Sequence, residues 1–139
     1  MKFARKISPL PLVADESIFT AHDLAKLIRL KYVDAVVLKL AKSGILGNLQ
    51  IASVAEAFGL SLYGSDMTES GVGLAASIHL FLVLNIDTPV DTSGLKVLKD
   101  LIVKGLVLDK CKIKVPDGPG LGVKVNEEEL EKYRVENKI

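Results

Sequence analysis

Short apolar runs alternate with helical stretches at a period of roughly 25 residues, and this alternation restricts the fold more than any other feature. Apolar runs occupy residues 10–14, 35–40 and 60–63, and a weaker strand signal lies at 88–92. Runs this short suit strands covered on both faces, as parallel strands are. Three helical stretches separate them. The first spans 20–30, where Thr20 is placed to cap and Asp23 falls in the first turn. The second spans 46–58, preceded by a Ser43-Gly44 turn and closed by Gly59. The third spans 74–84 and is apolar almost all round, so burial is expected. Repeated βα units build either an open doubly wound sheet or a barrel.

Beyond residue 92 the pattern changes. Residues 95–102 read as a short helix or a loop. Segments 106–108, 111–115 and 122–125 then read as short antiparallel strands, punctuated by Pro116-Asp117-Gly118-Pro119-Gly120. A polar helix from Glu127 to about residue 135 follows.

Charge and composition exclude several function classes. With 18 basic and 17 acidic residues the net charge is +1, so no basic field points to a nucleic-acid partner. The apolar stretch at 74–84 contains His79 and is too short to span a bilayer, so no membrane role is expected. Cys111 is the only cysteine, which excludes an intrachain disulfide and a cysteine zinc cluster and suits a reducing cytoplasm. The basic start, Met1 to Lys6, is interrupted at Pro9, Pro11, Asp15 and Glu16 before a signal-peptide core forms. A cytoplasmic location is the expectation.

In either βα architecture, polar residues at the C-terminal ends of strands line the ligand side. Here each strand ends in one: Asp15, Lys39, the loop at 64–69, and Asp91. Asp15 offers a hard oxygen to Mg²⁺ or Mn²⁺, or it caps the next turn. Lys39 interrupts Val36-Val37-Leu38-Lys39-Leu40, a strand expected to be covered on both faces. It must reach a polar lumen or snorkel from the strand end. Burial would lower its pKa and make it a general base. The glycines of the stretch from Tyr63 to Gly73 permit close backbone approach to a ligand. His79 is expected to pack in the core and His22 to be exposed. The Gly118, Gly120 and Gly122 series is expected to turn the chain between strands, since no helix follows it as a nucleotide motif requires.

Taken in order, these motifs resemble a known family. LPLVADES, followed by VVLKLAKSGILGNLQIASVAEAFGLSLYGSDMTESGVGLAASIHL, resembles the second half of enolase-superfamily barrels. VPDGPGLGVKVNEEELEKYR resembles the tail of muconate cycloisomerases. The resemblance implies the C-terminal half of a (β/α)₈ barrel, about four βα units plus a short β-rich tail and helix. Residues 1–139 would be a partial barrel domain carrying strands five to eight, with the capping domain and first half absent.

The resemblance further implies Asp15 as a metal-ligand carboxylate and Lys39 as the acid/base lysine. Ser65, Asp66, Met67 and Glu69 would line the substrate, and Asp91 would face it from the eighth strand. The implied activity is an isomerase with Mg²⁺ or Mn²⁺ in the intact enzyme, acting on a small carboxylate. In a muconate cycloisomerase that reaction interconverts a muconate and a muconolactone. Dipeptide epimerases are close cousins that carry two aspartates spaced by one residue where this chain has Asp91 and Ser93.

A barrel of this kind needs about 250 residues, so the isolated chain is expected to be inactive and to hold metal weakly or not at all. Open strand edges favour a homo-oligomer, and a non-catalytic assembly module is one alternative. A doubly wound sheet binding phosphate at Gly71 to Gly73 is another.

Overall fold

The structure is a computed structural model and describes residues 1–86 and 88–135. Its centre is a parallel sheet of β1 (Val13–Ala14), β2 (Ala35–Leu38) and β3 (Ser61–Gly64), in that spatial order. Val13 pairs with Ala35, and Ala35 with Ser61, so the three strands end on one rim.

Helix α2 (Ala21–Arg29) connects β1 to β2 and α3 (Leu40–Ala57) connects β2 to β3. Helix α4 (Gly71–Leu82) follows β3. Leu24, Ile51, Ala52, Ala55, Leu80 and Phe81 pack from these helices onto Val36, Leu38 and Leu62 of the sheet. Because the sheet residues are aliphatic, burying them is favourable by about 25 cal/mol per Å².

Local chemistry sets the helix ends. The Thr20 hydroxyl accepts the Asp23 N–H at 3.2 Å, and the Asp23 carboxylate accepts the Thr20 N–H at 3.0 Å. This reciprocal pair satisfies two N-terminal donors of α2. At the other end of α3, Gly59 N–H donates to Glu56 at 3.0 Å and Leu60 N–H to Ala55 at 2.9 Å. Gly59 turns left-handed there, with φ of 67°, as expected of the residue after a helix.

Several expectations change. The second helix begins at Leu40, ahead of the expected start, because the Ser43-Gly44 turn is absorbed as a break inside it. The strand expected at 88–92 does not form. Pro89 has no N–H for a ladder, and one backbone bond, Asp91 N–H to Gly64 at 3.1 Å, ties the segment to β3. Val90 still packs against the core. Among the described residues, three βα units and a fourth segment tied to β3 by that bond stand where four units are expected.

Helix α4 is less deeply covered than its composition implies, since Leu82 and the following Val83 are exposed. His79 is half-buried and lies 3.3 Å from the Leu121 carbonyl, joining α4 to the tail rather than packing in the core.

A short α1 (Lys2–Ile7), unforeseen in the sequence, precedes the sheet. Arg5 fixes it through an ion pair to Asp34 at 2.8 Å and a bond to the Lys31 carbonyl at 2.8 Å. After a single turn, α5 (Gly94–Val97), the tail folds into two antiparallel pairs. In these, β4 (Val103–Lys104) pairs with β7 (Lys124–Val125), and β5 (Val107–Asp109) with β6 (Lys112–Lys114). Helix α6 (Glu127–Lys132) is shorter than expected.

Candidate functional site

The rim at the C-terminal ends of β1 and β2 gathers four charged side chains. Asp15 and Glu16 follow β1, Lys39 follows β2, and Lys42 lies in the first turn of α3. Lys39 Nζ is 2.9 Å from Asp15 Oδ2 and 2.6 Å from Glu16 Oε1. Its side chain is only 9% exposed, so the ammonium is withdrawn from solvent between two carboxylates. It caps the start of α3 in extended conformation, and Asn48 donates to its carbonyl at 3.0 Å.

Burial pushes the Lys39 pKa down, but the Glu16 and Asp15 carboxylates more than offset this and hold it above the usual lysine value. The expected lowering by burial is therefore reversed, because the expectation left out the two partners. Lys39 rests here as an ammonium, a proton donor. For Asp15, burial acts upward, while hydrogen bonds from Lys42 and Lys39 outweigh it and hold the carboxyl below its usual range.

Sequence reasoning missed Lys42. Its Nζ donates to Asp15 Oδ1 at 2.8 Å, the Asp15 carbonyl at 2.9 Å and the Val37 carbonyl at 3.1 Å. In the sequence it reads as one more lysine on a helix face. The available signal was its position one turn after Lys39, at a strand-to-helix junction.

The loop after β3 forms a second cluster. Ser65 N–H donates to the Leu38 carbonyl at 3.0 Å, which ties the loop to the residue before Lys39. Asp66 is buried and turned inward. Its Oδ1 accepts from the N–H groups of Thr68 at 3.2 Å and Ser93 at 3.1 Å and from the Ser93 hydroxyl, while Oδ2 accepts from Gly94 N–H at 3.0 Å. Burial acts upward on its pKa, and the Ser93, Gly94 and Thr68 donors outweigh it to leave the carboxyl below its usual range. Such a carboxylate staples the loop to α5 and has little left to offer a ligand.

Met67 is exposed. Glu69 accepts the Met67 N–H at 2.7 Å through Oε2, and its Oε1 is buried without a partner. Asp91 is exposed, and no contact joins it to Lys39 among the described residues. The start of α4 is not open to a phosphate. Gly71 N–H donates to the Leu101 carbonyl at 2.9 Å, and Leu101 and Val103 pack over Gly71.

With this geometry in hand, known proteins give a consistent comparison. The sequence profile of the enolase C-terminal domain-like family matches residues 1–129. The chain belongs to that family. As an enolase-type domain it is similar to a chloromuconate cycloisomerase of Pseudomonas putida, 34% identical over 125 residues, which are 88% of this chain and 34% of that protein. It is as similar to an L-Ala-D/L-Glu epimerase of Clostridium acetobutylicum, 34% identical over 116 residues, 82% of this chain and 32% of that protein. The muconate lactonizing enzyme from Pseudomonas putida superposes with a TM-score of 0.84 at 33% identity, over 94% of this chain and 37% of that one. The enolase-type domain thus spans about a third of the length of the curated relatives it matches. Among its described residues, no helix is long and apolar enough to cross a membrane.

Members of this family typically use a divalent metal, and the residues can be tested against one. Mg²⁺ wants about six oxygen ligands in octahedral array. Asp15 has one oxygen on Lys42 and the other on Lys39. Among the described residues, no group of three or more His, Cys, Asp or Glu is placed to hold an ion. By themselves these residues do not fit Mg²⁺ or Mn²⁺.

Proposed function

We propose that this chain is the C-terminal barrel portion of an isomerase that moves a proton at the carbon α to a carboxylate, with Lys39 as the proton-transfer group. The carrying observation is the Lys39 ammonium, nine-tenths buried where two parallel strands end and held between Asp15 and Glu16. A lysine withdrawn from water, on a rim that opens to the ligand side, has the reach and the proton for this step. Resting as an ammonium, it serves as an acid in the direction of lactone formation: addition of the distal carboxylate to the muconate double bond leaves the electron pair on the α carbon as an enolate, the Lys39 N–H bond breaks and the α C–H bond forms. In the opposite direction, as on muconolactone or a dipeptide, Lys39 first gives its proton to solvent and the neutral amine then takes the α proton, leaving the pair in the enolate. Asp15 and Glu16 keep it charged until it acts. In a chain completed by the rest of a barrel, Asp15 would be one carboxylate of a metal set, which would supply Lewis-acid stabilisation to the substrate carboxylate.

Within this proposal Asp91 faces the substrate, and Ser65, Met67 and Glu69 present the loop edge that lines it. Asp66 supports that loop from behind. The substrate is a small carboxylate, and muconate or its lactone is the reading we place first. A dipeptide is the second, because the epimerase relative is as similar as the cycloisomerase one at 34% identity.

The test is exchange of the α hydrogen for solvent deuterium, read by mass spectrometry, with muconolactone and L-Ala-L-Glu as substrates. The chain is assayed alone and together with the first half of a muconate cycloisomerase barrel. Exchange on one of the two, abolished by Lys39→Met, is expected. No exchange on either substrate in either arrangement overturns the proposal.

A further inference from the structure

We propose that the cavity between α4 and the β5–β6 hairpin is a second ligand site, for a neutral aromatic molecule that carries one hydroxyl, with Ser77 as the residue that bonds that hydroxyl. The inference does not depend on the reading of Lys39.

Helix α4 turns one face toward the tail. Leu74, Ser77 and Phe81 lie on it at helical spacing, and Val90, Ile113 and Val115 complete the wall. The enclosed volume is about 340 Å³, at the small end of the range for small-molecule sites. The lining is mostly apolar, as in such sites. Val90 and Phe81 close over Gly64, where a Cβ would stand 3.0 Å from the first and 3.2 Å from the second. Among the described residues, neither lysine of the rim nor either of its carboxylates lines the cavity.

Ser77 is the anomaly in this wall. It is 1% exposed, and its Oγ has no hydrogen-bond partner among the described residues. A serine inside a helix has the carbonyl four residues back within reach, and this one does not use it. A buried hydroxyl left unpaired is costly, and an alanine would cover the same face without that cost. A ligand hydroxyl seated in the cavity supplies the missing partner.

Charge and shape select the ligand class. Asp66 is the one charged residue in the lining, and its oxygens are already bonded to Thr68, Ser93 and Gly94. A carboxylate ligand would meet this anion with no lysine or arginine in the lining to offset it. The cavity therefore takes a neutral molecule, unlike the small carboxylates proposed for the rim. The Phe81 ring favours an aromatic body, which gains from ring-to-ring contact.

Cys111 lines the same cavity, is exposed and is the only cysteine, so it reports on occupancy. Naphthol is titrated into the full chain by calorimetry, beside methylnaphthalene and naphthoate substituted at the same ring position. Naphthol should bind at one site and slow the reaction of Cys111 with N-ethylmaleimide. Ser77→Ala should weaken naphthol about tenfold, the worth of one hydrogen bond, and leave methylnaphthalene unchanged. Without ligand, Ser77→Ala should melt no lower than wild type, since no bond is lost. Naphthoate should bind more weakly than naphthol. Ile113→Phe, which fills the cavity from the hairpin, should abolish both the binding and the Cys111 protection.

No saturable naphthol binding overturns the proposal, as does binding that neither variant weakens. Naphthoate binding as tightly as naphthol overturns it too, and so does a ligand-free Ser77→Ala chain that melts earlier, because its hydroxyl was then already paired. If Ile113→Phe does not fold, nuclear Overhauser effects in the wild-type chain should join naphthol to the methyl groups of Leu74, Val90 and Val115. Their absence overturns the proposal.

Discussion

Asp66 reaches from the loop after β3 to the start of α5, where its Oδ2 accepts the Gly94 N–H at 3.0 Å. The approach is close enough that a Cβ on Gly94 would stand 2.6 Å from the Glu69 carbonyl oxygen. Two changes test this staple. Asp66→Ala strands the N–H groups of Thr68, Ser93 and Gly94 and should destabilise the chain by about 3 kcal/mol. Gly94→Ala keeps the carboxylate but forces the loops apart, at about 2 kcal/mol. Urea unfolding followed by circular dichroism measures both, and losses below about 0.5 kcal/mol would mean the loop is held elsewhere.

Asp15 and Asp66 give the stability a direction in pH. Both carboxyls lie below the ordinary 3.8 in the folded chain. The native state then binds fewer protons than the unfolded state across the window between the two values. Their contribution is complete above the unfolded pKa and is lost as pH falls through the folded ones. Lys39, held above 10.5, contributes on the other side. Its share is complete below 10.5 and is lost as pH rises through the folded value. Urea midpoints should therefore fall from about pH 5 toward pH 2. The double variant Asp15→Asn, Asp66→Asn should flatten that slope, and an unchanged slope would remove both groups as its source.

What the sequence disclosed of this site depended on contrast. Lys39 stood out because it breaks the run Val36-Val37-Leu38, where any charge needs a reason. Asp15 stood out by following an apolar strand. Lys42 carried no such contrast, since a lysine in a helix has a solvated face as its ordinary home. Its burial depends on Val37 and Asp15 meeting across two strands, which no local window contains. Asp66 was legible only in part: a polar residue in a Gly-rich loop reads as a ligand contact, while its hydrogen bonds to Ser93 and Gly94, 27 and 28 residues away, lie outside any local window. The parallel βα units were legible because strand, cap and helix signals agree locally, as Thr20 and Asp23 do. The 88–92 segment gave a weak strand signal, with Val90 as its one apolar side chain beside Pro89, which has no N–H for a ladder.

Asn48 is the buried polar residue that holds the backbone of the rim. Its side-chain nitrogen donates to the carbonyls of Lys39 at 3.0 Å and Gly44 at 2.7 Å. Asn48→Ala leaves the Lys39 carbonyl without this partner and should destabilise by about 2 kcal/mol. Asn48→Asp removes the donor while keeping the shape, and sets an anion against two carbonyl oxygens, so its loss should be larger. If Asn48→Asp proves as stable as wild type by thermal melting, the amide is not what fixes the start of α3.

Gly44 makes the bend that separates the first turn of α3, which carries Lys42, from the rest of the helix. It sits inside α3 with φ of 64° and ψ of −178°, a region that residues with a Cβ enter only under strain. Space is not the obstacle, since a Cβ built there has nothing within 4 Å. The cost of Gly44→Ala is therefore conformational and should be about 2 kcal/mol. The chain has a way to avoid it, which is to run α3 straight through from Leu40. That rearrangement would draw the Gly44 carbonyl away from Asn48 and turn Lys42 off the β1–β2 junction. Gly44→Ala should thus lower the melting temperature and, in the chains that remain folded, weaken amide-exchange protection at Val37 and Leu38. A variant that melts earlier but keeps full protection there would show that the bend and the lysine pair are independent.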